Sequence, residues 1–172
     1  MPTEILDLPA LAERLPRHAR LFGLDLGTKT IGIAMSDVER RIATPLETIR
    51  REKFSIDVKR LIELATQFDI HALVLGLPLN MDGTEGPRSQ ATRAFARNLS
   101  NYTPLPVTFW DERLSTAAVT RSLIEQDASR AKRAKVVDRM AAAYILQGVL
   151  DRLSRMAQEK SPPPFDGEPD RS

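Results

Sequence analysis

The stretch Leu21–Ser36, LFGLDLGTKTIGIAMS, decides the fold. Leu21–Leu26 reads as one strand and Thr30–Ser36 as a second. Asp25-Leu-Gly-Thr-Lys lies between them like a hairpin turn. Downstream, Arg41–Arg50 (RIATPLETIR) reads as a third strand, with Pro45 marking an edge or a bulge. Phe54, Val58, Leu61, Ile62, Ala65 and Phe68 then recur at helical spacing. Ala72–Leu77 (ALVLGL) is a continuous apolar run, suited to a parallel strand buried on both faces. After the glycine-containing loop Asn80–Pro87 come a helix over about Arg88–Asn101, a short strand Val107–Trp110 and a helical stretch Leu114–Gln126 with Ser115 or Thr116 as cap. Val136–Met156 is the longest helix. Three early strands followed by strand–helix units predict an α/β domain with a mixed sheet.

The ends differ from this pattern. Residues 1–20 form an extension whose amphipathic stretch (Leu8, Leu11, Leu15) is broken by Pro16, a lid or packing arm. Residues 158–172, and Ser161–Ser172 (SPPPFDGEPDRS) above all, are poor in apolar groups and are expected to be disordered. One domain over 21–157 remains, as a chain of 172 residues suggests.

Composition narrows the chemistry. The chain is 42% hydrophobic and 28% charged, ordinary values for a globular protein. It has no cysteine, which excludes disulfides, thiolate zinc sites and a Cys nucleophile. His18 and His71 are the only histidines, so a multi-His metal centre is excluded too. Any metal must be held mainly by oxygen, as magnesium, manganese or calcium are. No apolar run is long enough to span a bilayer, and the acidic N-terminus is not a signal peptide. A soluble cytoplasmic protein is expected.

Three acids stand out. Asp25 ends the first strand within Gly-Leu-Asp-Leu-Gly, where small neighbours let a ligand approach; it also suits a plain turn. Asp138 has Ala141, Ala142, Ile145 and Val149 as its same-face neighbours, which puts a carboxylate on the sheet-facing side of a helix. A cation would offset the cost of that burial, as would an ion pair with Arg139 or Arg113. Asp111 and Glu112 follow the strand Val107–Trp110, and alternation lets only one of them point at a shared site without saying which. If the strands are neighbours, the acids converge at their carboxyl ends. Such a cluster suits one or two magnesium or manganese ions acting on a phosphodiester.

Charge is segregated. From Arg113 to Lys160, Lys and Arg number ten against five acids, which leaves the rest of a +2 chain about three negative. Arg130, Lys132, Arg133 and Lys135 cluster just ahead of Asp138, either as a polyanion footprint or as a solvated helix face. Lys29 and Arg113 lie close in sequence to Asp25 and Glu112 and are candidates to hold phosphate. Asn80, Gly83 and Thr84 offer further phosphate donors from their loop.

GLDLGTKTIGIAMSD (Gly23–Asp37), VLGLPLNMDGTEG (Val74–Gly86), DERLST (Asp111–Thr116) and VDRMAAAYILQ (Val137–Gln147), in this order and spacing, resemble the YqgF family. These are bacterial RNase H-like nucleases related in fold to the RuvC Holliday junction resolvases. The resemblance covers about Leu21–Leu153. It implies a five-stranded mixed sheet flanked by helices, with Asp25, Glu112 and Asp138 as the catalytic, metal-binding acids. It also implies action on the 5′ end of pre-16S rRNA, with nucleic acid and the ribosome precursor as partners. Three other functions compete. One is resolution of branched DNA, for which a homodimer rather than a monomer is expected. Another is a sugar-kinase or actin-like ATPase, which by resemblance needs two such domains. The last is a non-catalytic nucleic-acid-binding module.

Overall fold

The computed structural model describes residues 4–114 and 130–160, with side chains of the last segment from residue 139 onward. Five strands form one sheet: β1 (Arg20–Leu26), β2 (Thr30–Ser36), β3 (Ala43–Arg50), β4 (Ile70–Leu77) and β5 (Val107–Asp111). Their order is β3-β2-β1-β4-β5. The first three strands pair antiparallel, whereas β1, β4 and β5 run parallel. β1 is therefore central and buried on both faces, which its LFGLD composition permits. The α1 (Leu8–Arg14), α2 (Phe54–Gln67), α3 (Pro87–Leu99) and α4 (Arg130–Lys160) helices complete the fold. The stretch expected to be helical over Leu114–Gln126 lies outside the described residues from 115 onward, and Leu114 ends a 3-10 turn begun at Glu112. Helix α4 runs through Lys160, past the boundary read at residue 157; the tail from 161 lies outside the described residues.

The two faces of the sheet carry separate cores. On one, Phe22, Leu24, Leu73 and Leu75 pack against Val58, Leu61 and Leu64 of α2 and Phe95 and Leu99 of α3. On the other, Leu21, Ala34, Ala72 and Val74 pack against Ala141, Ala142, Ile145 and Leu146 of α4. The split follows strand alternation: Leu21 and Gly23 look one way, Phe22 and Leu24 the other. The hairpin closes through the Gly27 amide, which donates to the Thr30 carbonyl at 2.8 Å. Pro45 sits on edge strand β3 at the point where the register with β2 shifts. A ring without an N–H is tolerated there, since no further strand needs its donor.

The N-terminal segment covers the opposite edge. Ile5 bridges Val107 in parallel, the Leu6 amide donates to the Val107 carbonyl at 2.8 Å, and the Val107 amide donates to the Glu4 carbonyl at 2.9 Å. Asp7 caps α1, and Leu11 is fully buried in the α4-side core. The exposed edge of β5 is thereby covered where that strand begins. This is the end of the sheet away from the carboxyl ends of β1 and β4, so residues 4–15 pack as an arm remote from Asp25.

Candidate active site

Asp25 is the next-to-last residue of β1 and is buried. Its face is fixed by Gly23, two residues earlier. A Cβ on Gly23 would stand 2.6 Å from Leu146 Cβ and 2.8 Å from the Ala142 carbonyl oxygen, so that side of β1 faces α4. Asp25 shares that side. On β4, Leu75 lies beside Leu24, which brings Gly76 next to Asp25. Gly76 also faces α4, because a Cβ there would run into the end of the Ile145 side chain.

Glu112 completes the arrangement. It begins the 3-10 turn directly after β5 and is buried. Its Oε1 lies 2.8 Å, and its Cγ 3.2 Å, from where a Gly76 Cβ would be. The Glu112 side chain thus lies across β4 in the space that glycine leaves empty. It reaches from the edge strand toward β1, whose neighbouring strand spacing is about 4.8 Å. Two buried carboxylates from opposite sides of β4 therefore share one face of the sheet at its carboxyl end.

Helix α4 brings the third acid to the same end. Residues Leu150–Ala157 line a groove with Glu39–Arg41, the turn beside the start of β1, while Ala142 and Leu146 sit over Gly23. The helix thus runs antiparallel to β1, and its residue 138, one turn ahead of Ala142, falls toward the Asp25 end. The side chain of Asp138 lies outside the described residues. Gln147 pins the helix sideways: its Oε1 accepts from the Ala43 amide at 2.9 Å and its Nε2 donates to the Arg41 carbonyl at 2.9 Å.

Asp111 faces away. It stands on the side of β5 shared by Val107 and Phe109, and its carboxylate accepts from Arg113 at 2.7 and 3.1 Å. That guanidinium holds the Asp111 carboxyl below its ordinary value of 3.8. Arg113 also donates to the Met81 carbonyl at 3.2 Å, so it clamps loop 80–86 to β5.

The other residues read as nucleic-acid ligands fall in three places. Lys29 is exposed on the β1–β2 turn. Asn80, Gly83 and Thr84 are exposed, but their donors are used within the loop. The Asn80 amide donates to the Thr84 carbonyl, Gly83 to the Asn80 carbonyl, and both the amide and hydroxyl of Thr84 to Asp82. Gly83 takes φ +88°, which favours glycine. Those Thr84 bonds hold the Asp82 carboxyl below its ordinary range. Arg130, Lys132, Arg133 and Lys135 occupy the first turns of α4, and their side chains lie outside the described residues. Among the described residues no group of three acids or histidines is spaced to hold a metal, and Asp138 is not among the side chains described. Sequence reasoning missed Gly76. Its signal was a glycine interior to a buried strand, which marks a close approach.

This geometry defines an RNase H-like α/β domain with buried acids at the carboxyl end of its central strands. The comparisons narrow the class. The family model described as "RuvX: Holliday junction resolvase" matches residues 19–152. A "Putative pre-16S rRNA nuclease" of Methylocella silvestris is 69% identical over 156 residues, covering 91% of this chain and 97% of that one. A protein of the same description from Rhodobacter capsulatus is 61% identical, covering 86% and 92%. The yeast mitochondrial Holliday junction resolvase Ydc2 shares the fold with a TM-score of 0.50 at 12% identity, covering 88% and 86%. The chain belongs to the RuvX family, the YqgF family of the motifs above.

Proposed function

We propose that this chain is a metal-dependent nuclease that hydrolyses phosphodiester bonds in RNA, at the 5′ end of pre-16S rRNA. The observation that carries the reading is the Glu112 carboxylate lying over Gly76, one strand from buried Asp25. Family membership and the description of the relatives support it.

The donor set fits magnesium or manganese, one or two ions. It is all carboxylate oxygen, and the glycine leaves a cradle that a Cβ would fill. When bound, such an ion supplies Lewis acidity and lowers the pKa of a water. Asp25 and Glu112 would hold it, with Asp138 as the third acid. Their burial keeps both carboxylates fixed on rigid elements and strengthens every charge interaction there. No cysteine or histidine is needed, and neither stands in the site. Lys29 is exposed on the β1–β2 turn, and the sequence that opens α4 is basic, the charge that a phosphate backbone requires. The ribosome precursor is the partner this reading implies, and the cytoplasm its location; no described helix is long and apolar enough to cross a membrane.

A cleavage assay with magnesium on RNA carrying the 16S 5′ flank tests the proposal. Asp25→Asn and Asp138→Asn should each abolish cutting, and activity surviving both changes would sink it. The family model's description favours a second reading, branched DNA as substrate. Cleavage of a four-way junction by a dimer, with RNA left intact, would select it.

A further inference from the structure

Beside the turn joining β1 to β2 lies a cleft of about 60 Å³ that the acids do not use. Its walls are Leu26, Gly27 and Thr28, with Arg51 after β3 and Arg88 and Thr92 on α3. Among the described residues no carboxylate lines it. Some arginines of this chain are committed to acids: Arg60 to Glu47, Arg93 to Glu85, Arg113 to Asp111. Among the described residues Arg51 and Arg88 have no carboxylate partner. Arg51 is nevertheless held still. Its amide donates to the Lys29 carbonyl at 2.8 Å, its Nη1 donates to the Gly27 carbonyl at 2.7 Å, and its guanidinium stands 6.0 Å from the Phe95 ring centre. A guanidinium ordered in advance loses less freedom when it binds.

Two arginines lining a cleft with no acid among the described residues select an oxyanion, and guanidinium suits phosphate by charge and by fork geometry. The location adds the context. Asp25 and Leu26 are consecutive, so the acids and the cleft lie on opposite faces of the same strand end. We propose that Arg51 and Arg88 hold a non-scissile phosphate of the nucleic-acid strand whose cleavage the Asp25 face performs. The proposal rests on the nuclease reading above. Such a contact carries no sequence information but fixes the strand's register over the acids.

The test measures binding of labelled single-stranded RNA carrying the 16S 5′ flank to Asp25→Asn protein with magnesium chelated, over a salt series. Adding Arg88→Gln should weaken binding and flatten the plot of log K against log[salt] by about 0.7–1, the loss of one phosphate contact. Arg97→Gln removes an equally exposed charge at the far end of α3 and should leave the slope unchanged. Arg88 is exposed, so its loss spares the core; Arg51 supports the turn and serves as the second variant, expected to act in the same direction. An unchanged slope in Arg88→Gln, or an equal fall in Arg97→Gln, overturns the proposal. Because binding is read without catalysis, the two readings separate. A wild-type protein that cuts nothing while Arg88→Gln still flattens the slope loses the nuclease reading and keeps the anion site.

Discussion

Asp111 and Glu112 are consecutive acids in opposite chemical situations. The first faces the α2–α3 side of the sheet near the surface, where Arg113 neutralises it. The second turns to the α4 side, is buried, and lies over a glycine. One residue of strand alternation separates a structural ion pair from a candidate ligand. The lesson is that an acid's surroundings, more than its position in a motif, decide its work. A carboxylate already matched by a guanidinium at 2.7 Å has little left to offer a cation.

A cleavage assay separates the two acids by the widest margin. Glu112→Gln should lower kcat on the order of 10³-fold, since charge stabilisation of several kcal/mol is at stake. Asp111→Asn should cost less than tenfold; equal losses would erase the distinction between the two faces. Magnesium sharpens it next. Titrated to about 100 times its Kd, it should stabilise the wild type by about 2.7 kcal/mol, read as a rise in Tm, and leave Glu112→Gln unmoved.

The glycines separate packing from chemistry. At Gly23 an added Cβ meets the Ala142 backbone, which cannot step aside, so Gly23→Ala should destabilise by about 1–3 kcal/mol, or several degrees in Tm. At Gly76 it meets the ends of two side chains, Ile145 and Glu112. Gly76→Ala should therefore cost less stability and more activity, because Glu112 is what gives way. The smallest effect concerns pH. The Asp111 carboxyl is depressed below 3.8, so its pairing with Arg113 contributes stability above that value and loses it as the pH falls through the depressed pKa. The Tm gap between wild type and Asp111→Asn should be full above pH 3.8 and close as the medium becomes more acid.

Much of this was legible in the residues. Apolar patterning located all five strands, most plainly β1, β2 and β4, whose burial on both faces leaves few polar choices. Thr30–Ser36 was read to the residue, and Pro45 fell on an edge and at a register shift. Alternation left Asp111 and Glu112 undecided, since either register satisfies a five-residue strand. Gly76 and the packing of α4 set the answer, and both are tertiary. The Asn80–Thr84 loop misled in part: glycine and threonine do suggest phosphate donors, but Asp82 lies within reach and takes the Thr84 donors. Arg51 and Arg88 escaped notice for the converse reason. They are 37 positions apart in the chain, and only the fold brings them to one cleft.

We propose that Asp25 and Glu112 together make one cation site at the carboxyl end of the sheet. Crystals soaked in manganese and measured for anomalous scattering test it directly. A peak bridging the two carboxylates beside Gly76 is the expected result. A well-diffracting soak with no peak there, or with manganese bound only to surface acids such as Asp82 or Asp111, would contradict it.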